Sequence, residues 1–210
     1  MLSNKSYTKL YLITPSKINI NKFSVSLDEV LKTSLVSCLQ LRLKDVKDKD
    51  IIEAARILKP ICSNYNVPFI LNDRLDLVRE LETDGVHLGQ EDASISEARK
   101  LLGPNAIIGA SCYNSKHQAM EAAEAGANYV AFGAFFDTKT KNSKTRAKIN
   151  TIKDWVFISN VPCVAIGGIN PSNCIELVSA GVDFLAVIGC IWNSNEDPKS
   201  AINKFKKIII

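Results

Sequence analysis

Two alternating patterns run the length of the chain. Short β-branched or aliphatic stretches end in glycine or polar residues, and between them apolar residues recur at helical spacing. The short stretches predict strands at Leu10–Thr14, Cys38–Leu43, Pro68–Leu71, Gly85–Leu88, Ile107–Ser111, Tyr129–Gly133, Pro162–Ile166 and Phe184–Ile188. Among the helices, Asp50–Tyr65 carries Ile51, Ala54, Ala55, Leu58, Ile61 and Cys62 on one stripe. Ser94–Leu102 opens on a capping box, Ser94 with Glu97, and stops at Gly103–Pro104. A third helix is expected over Ser115–Ala125, ending at Gly126. A fourth covers Pro171–Ala180, with Pro171 in its first turn and Gly181 beyond it. A shorter one is expected at Leu75–Leu81.

Strand–helix alternation implies a parallel sheet. Eight such units in 210 residues, with no linker or break in composition, predict a single α/β domain over residues 1–210, a closed (β/α)8 TIM barrel. An open doubly wound sheet would place a glycine-rich turn after its first strand. Here that strand ends in TPSK, and the glycine-rich turns follow the seventh and eighth. Active sites of such barrels lie where the strands end, so those ends carry the functional reading.

Composition adds exclusions. At 46% hydrophobic and 23% charged the chain is an ordinary globular one, and no apolar run is long enough for a membrane helix. The formal charge of +4 is spread along the chain apart from Lys139–Lys148 and Lys204–Lys207. Aromatics reach only 7%, so a small anion fits better than a nucleic acid. Six cysteines form no CxxC pair, and with two histidines they make no zinc set. Reduced, buried thiols and a cytoplasmic location are expected, with self-association left open.

At the strand ends, Gln40, Arg42 and Lys44 alternate with Leu39, Leu41 and Leu43, so the polar three share the face turned into the barrel. They bind either an anionic ligand or a carboxylate from a neighbouring strand. Asp73 and Asp92 leave adjacent strands at the same rim, where Mg²⁺ would reconcile two carboxylates with an anion. Capping by Asp73 and a plain loop role for Asp92 are the alternatives. Asn72 and Ser111 also stand at strand ends. After the sixth strand, Thr138, Thr140 and Lys141 belong either to a flap over phosphate or to a solvated charge run. Gly168, Ile188 and Gly189 follow the last two strands, where backbone amides bind phosphate in many barrels, although turn geometry alone also selects glycine. His87 reads as a packed strand residue and His117 as a solvated one.

In order along the chain, LYLITP, QLRLKD, NDR, DGVHLGQED, GAS, TKTK, AIGGI and VIG resemble the motifs of the thiamine phosphate synthases, from about Leu10 to Phe205. The resemblance implies a transferase of thiamine biosynthesis. It would join 4-amino-2-methyl-5-hydroxymethylpyrimidine diphosphate to a thiazole phosphate, releasing diphosphate by a dissociative route. By position, Gln40, Arg42, Lys44, Asn72, Ser111 and Lys141 would meet the diphosphate, and Asp73 and Asp92 would hold Mg²⁺. Thr138, Thr140, Gly168, Ile188 and Gly189 would meet the thiazole phosphate. The family often has Pro at the positions of Ala134 and Asp137, and Ser at that of Gly189. A thiazole tautomerase of the same superfamily and a non-catalytic binder of thiamine precursors are the alternatives.

Overall fold

A computed structural model of the chain describes residues 8–138 and 145–209. Its sheet is a closed barrel of parallel strands in sequence order. These are β1 (Lys9–Ile13), β2 (Val36–Leu41), β3 (Phe69–Asn72), β4 (Gly85–Leu88), β5 (Ile107–Tyr113), β6 (Tyr129–Gly133), β7 (Cys163–Ile166) and β8 (Phe184–Val187). β8 closes on β1 through the register Leu10↔Leu185 and Tyr11↔Ala186.

The period-two alternation sorts residues into two cores. Inward positions of the strands (Tyr11, Ile13, Cys38, Ile70, Tyr129, Ala131, Val164 and Ala186) fill the barrel. Outward positions, Leu39 and Leu41 among them, join the helices in the larger core. The strands are anchored at their starting end by a device used three times. Asp84, Asn128 and Asp183, each just before an even-numbered strand, accept from Phe69 N (2.7 Å), Ile108 N (2.8 Å) and Cys163 N (2.8 Å) in the preceding strand.

The helices are α1 (Ile20–Leu31), α2 (Asp48–Asn64), α3 (Ile95–Leu102), α4 (Lys116–Glu124), α5 (Ile149–Ile158), α6 (Ile175–Ser179), α7 (Gly189–Trp192), α8 (Pro198–Asn203) and α9 (Lys206–Ile209). The expected capping box is present: Ser94 Oγ accepts from Glu97 N at 3.2 Å, and the Glu97 carboxylate accepts from Ser94 N at 2.9 Å. Ser115 caps α4 by accepting from Gln118 N. None of the described helices is long and apolar enough to cross a membrane.

Two helices depart from expectation. Over Leu75–Leu81 only a 3₁₀ turn, Leu75–Leu77, forms. Residues 73–84 must make the whole return from β3 to β4, near the lower limit of about 10–12 residues for a crossover that includes a helix. The second departure is α6, which begins at Ile175 rather than Pro171. Asn170 Oδ1 accepts from Ser172 N, and Asn173 Oδ1 from Asn170 N, both at 2.9 Å. Those side-chain bonds hold turns that compete with helix.

The six cysteines are free thiols, five of them buried. Burial pushes Cys62, Cys112 and Cys163 up to about 12, which keeps them protonated and inert.

Trp155 of α5 joins helix layer to barrel. It is 1% exposed, meets Phe132 edge-on with centroids 5.7 Å apart, and donates from Nε1 to Val161 O at 2.8 Å. Trp155→Ala should therefore cost about 3–5 kcal/mol, seen as a fall in the urea midpoint with little change in slope.

Candidate active site

The polar strand ends converge on one rim. β2 stops at Leu41, so Gln40 is its last inward residue and is 3% exposed. Arg42 and Lys44 lie just past the strand, held there by backbone: Arg42 N donates to Thr14 Oγ1 (2.9 Å) and Lys44 N to Ser16 O (3.0 Å). Leu43 packs against the helix-side core.

Arg42 is half-buried, and its Nη1 has no hydrogen-bond partner among the described residues. Burial lowers the affinity of its guanidinium for a proton, while the charge of Asp73 opposes that effect. An unmet buried donor costs about 1–3 kcal/mol, more when charged. That cost is removed when an anion meets it.

Lys44 Nζ donates to the Asp73 carboxylate. Asp73 follows β3 with φ at +66°, a left-handed turn that asparagine and aspartate tolerate better than most residues. Its carboxylate faces that of Asp92, which also accepts from Gly89 N at 2.7 Å. The 3₁₀ turn has no side-chain cap, so Asp73 is not spent on capping. Arg74, next in sequence, points away: its guanidinium binds both Asp48 and Asp76.

Desolvation first, then the hydrogen bond and charge of Asp73, raise Asp92 from its ordinary value. The Gly89 amide and Lys44 oppose that rise. Two carboxylates in contact need a shared proton or a cation. Among the described residues no three His, Cys, Asp or Glu stand close enough to hold a metal by themselves. A two-carboxylate site suits a divalent ion that completes its shell with water and phosphate oxygens.

Asn72 ends β3, half-buried, opposite His87 in register. Ser111 lies on β5 and is hydrogen-bonded through Oγ to His87 Nε2 at 2.8 Å. His87 is thus more than a packed strand residue. Gln40, His87 and Ser111 share a cavity of about 30 Å³ with Tyr11 and Tyr129, sunk into the barrel below the rim. A larger depression, about 510 Å³, lies outside the barrel between α2 and residues 80–82 and contains none of these groups.

Thr138 is the last residue described before residue 145; Thr140 and Lys141 lie outside the described residues. Asp137 is exposed and pairs with Arg146, which keeps its charge occupied by a cation. The glycines after β7 have a local explanation. A Cβ on Gly167 would stand 2.4 Å from Ala134 Cβ, and one on Gly168 would stand 2.3 Å from Asp137 O. Their absent side chains admit the returning segment 134–137, whose Phe136 N donates to Gly167 O. Only five- and four-residue helices follow β7 and β8. Ile188 packs on the inner core, and Gly189 has open space around it, with only Asn193 near a built Cβ.

Comparison with known proteins gives the chain a family. Residues 10–191 match the thiamine monophosphate synthase family. The chain belongs to that family. The thiamine-phosphate synthase of Rhodospirillum centenum is 47% identical over 201 residues, covering 96% of this chain and 97% of that one. The Pelagibacter ubique thiamine-phosphate synthase is 42% identical, covering 98% and 100%. Among solved structures, thiamine phosphate pyrophosphorylase from Pyrococcus furiosus superposes with a TM-score of 0.84 at 33% identity, over 98% of this chain and 96% of that one. A 3-hexulose-6-phosphate synthase, 12% identical with a TM-score of 0.68, shares the fold. Family membership makes this chain an enzyme, a transferase by class.

The carboxylate contact has a measurable consequence. Because Asp92 binds its proton more tightly when folded, its contribution to stability is present in acid and is lost as pH rises through its raised value. Without divalent ions, Asp92→Asn should melt higher than the parent near pH 7. The gap should close as pH falls below about 4, followed by calorimetry across that range.

Proposed function

We propose that the rim joins a pyrimidine methyl diphosphate, 4-amino-2-methyl-5-hydroxymethylpyrimidine diphosphate, to a thiazole monophosphate, yielding thiamine phosphate and diphosphate. The observation that carries the reading is the unpartnered, buried Nη1 of Arg42 beside the Asp73–Asp92 carboxylate contact. An anion and a cation are both called for within one small region, and a metal-bound diphosphate supplies both.

The chemistry asks little of side chains as nucleophiles. The bond between the methylene carbon and the diphosphate oxygen breaks, and its electron pair leaves with diphosphate. The electron-rich pyrimidine carries the resulting cation until the thiazole nitrogen forms the new carbon–nitrogen bond. Arg42 and Lys44 would bind the diphosphate and stabilise charge as it gathers on the leaving oxygen. Gln40, Asn72 and Ser111 would orient the ester, and Lys141 would add charge from the loop. Thr138 and Thr140, with the backbone at Gly168, Ile188 and Gly189, would hold the thiazole phosphate. Asp73 and Asp92 would hold Mg²⁺, which neutralises charge on the leaving group when bound. Holding two rings in contact supplies the remaining advantage by proximity.

Incubating pure protein with both substrates and Mg²⁺ should give thiamine phosphate by mass spectrometry, and chelation should abolish it. No product above the blank would overturn the assignment. Activity on the thiazole alone, indifferent to chelator, would select a tautomerase instead. Arg42→Met should lower kcat/KM by about 10²–10³-fold. Lys141→Ala should slow carbon–oxygen cleavage by about 2–4 kcal/mol while leaving thiazole phosphate binding less affected, as single-turnover kinetics and equilibrium binding would separate.

A further inference from the structure

A string of hydrogen-bonded side chains crosses the barrel interior below the rim. The Tyr11 and Tyr129 hydroxyls are 2.7 Å apart, and Tyr129 Oη lies 3.0 Å from His87 Nδ1. His87 Nε2 then meets Ser111 Oγ at 2.8 Å. At its far end Tyr11 faces Cys38, its register partner on β2 and a fellow member of the inner core. Both tyrosines are buried, at 3% and 7% exposure.

The string has a built gap. Tyr129 on β6 must pass over β5 to reach His87 on β4, and Gly109 of β5 stands in its path. A Cβ there would fall 2.0 Å from the tyrosine ring. The Tyr129 ring therefore lies over glycine and stacks near the imidazole, with centroids 5.6 Å apart and planes at 20°.

Each hydroxyl has one proton, so the direction of the string is one choice made for all members. If Ser111 donates inward to His87, Nδ1–H must donate to Tyr129 and Tyr129 to Tyr11. The last proton then ends on the Cys38 sulfur, a weak acceptor. In the opposite direction the weak bond is the Cys38 thiol donating to Tyr11, and every stronger donor meets an oxygen or nitrogen. Tyr11 then donates to Tyr129, Tyr129 to Nδ1, and Nε2–H to Ser111. Burial pushes both tyrosine hydroxyls well above their ordinary range, so both keep their protons. The second direction leaves the Ser111 proton available to the mouth.

We propose that His87 is a positioning residue, held by Tyr129 as the neutral Nε2–H tautomer, which makes Ser111 an acceptor on its inner side and a donor toward the departing diphosphate. The Ser111 half rests on the diphosphate reading given above; the His87 half rests on the string alone.

The test is nitrogen NMR of the full chain labelled with ¹⁵N-histidine. His87 and His117 are the only histidines, and His117→Gln assigns the pair. In the wild type, Nε2 of His87 should resonate as a pyrrole-type N–H and Nδ1 as a bare acceptor. Tyr129→Phe, which keeps the ring and removes its hydroxyl, should mix the two tautomers. Tyr11→Phe should leave the tautomer unchanged, because Tyr129 still finds its acceptor only in Nδ1. An Nδ1–H tautomer or a doubly protonated ring in the wild type, or an unaltered spectrum in Tyr129→Phe, would overturn the proposal. In turnover, Tyr129→Phe should lower kcat about tenfold, the worth of one aimed hydrogen bond. KM for the pyrimidine diphosphate should stay within about twofold; a loss confined to KM would overturn the aiming role. Absence of synthase activity in the wild type would overturn the Ser111 half, while the spectrum decides the His87 half independently.

Discussion

Inside a closed eight-stranded barrel there is room for side chains and almost no water. Every polar group on the inner face must therefore find a partner or stand at an open end. Tyr11, Tyr129, His87 and Ser111 obey the first condition by bonding to one another. Arg42, Asp73 and Asp92 obey the second, and they are where the structure leaves needs unmet: a donor without an acceptor and two carboxylates in contact. That boundary between satisfied interior and unsatisfied mouth marks the candidate site more sharply than cavity size does, since a depression larger than the inner cavity lies outside the barrel.

The strands were legible because a barrel strand is buried on both sides and reads as a short aliphatic run, and the stops at glycine or polar residues placed the rim. Arg42 and Lys44 were legible through the leucines that alternate with them, although β2 ends before either cation. The His87 partners were not. Tyr129 and Tyr11 are distant in sequence, and only barrel closure and the missing side chain of Gly109 bring the Tyr129 hydroxyl to the imidazole and that of Tyr11 to Tyr129. The expected helix at Leu75–Leu81 failed because helical spacing of Leu77, Val78 and Leu81 says nothing about the length of chain available to turn around. Likewise the apolar residues after Pro171 could not reveal that Asn170 and Asn173 would hold turns.

Departures from the family pattern find local answers. Asp137, where proline is common, pairs with Arg146, so its charge does not face a phosphate alone. Ala134 is buried against Gly167, within a segment whose amides at Phe135 and Phe136 donate to Ile166 O and Gly167 O at the end of β7. The paired glycines thus serve the chain's own packing, and any amide they offer a ligand is a second use of the same backbone.

The return from β3 to β4 has one further consequence. With only a 3₁₀ turn between them, Asp73 is tied to the sheet at both sides: its own amide donates to His87 O, and Asp84 closes the far end on Phe69. No long helix intervenes whose sliding could carry the carboxylate sideways. This stretch should accordingly be the part of the barrel wall least forgiving of inserted residues, because any added length would be spent at the aspartate itself.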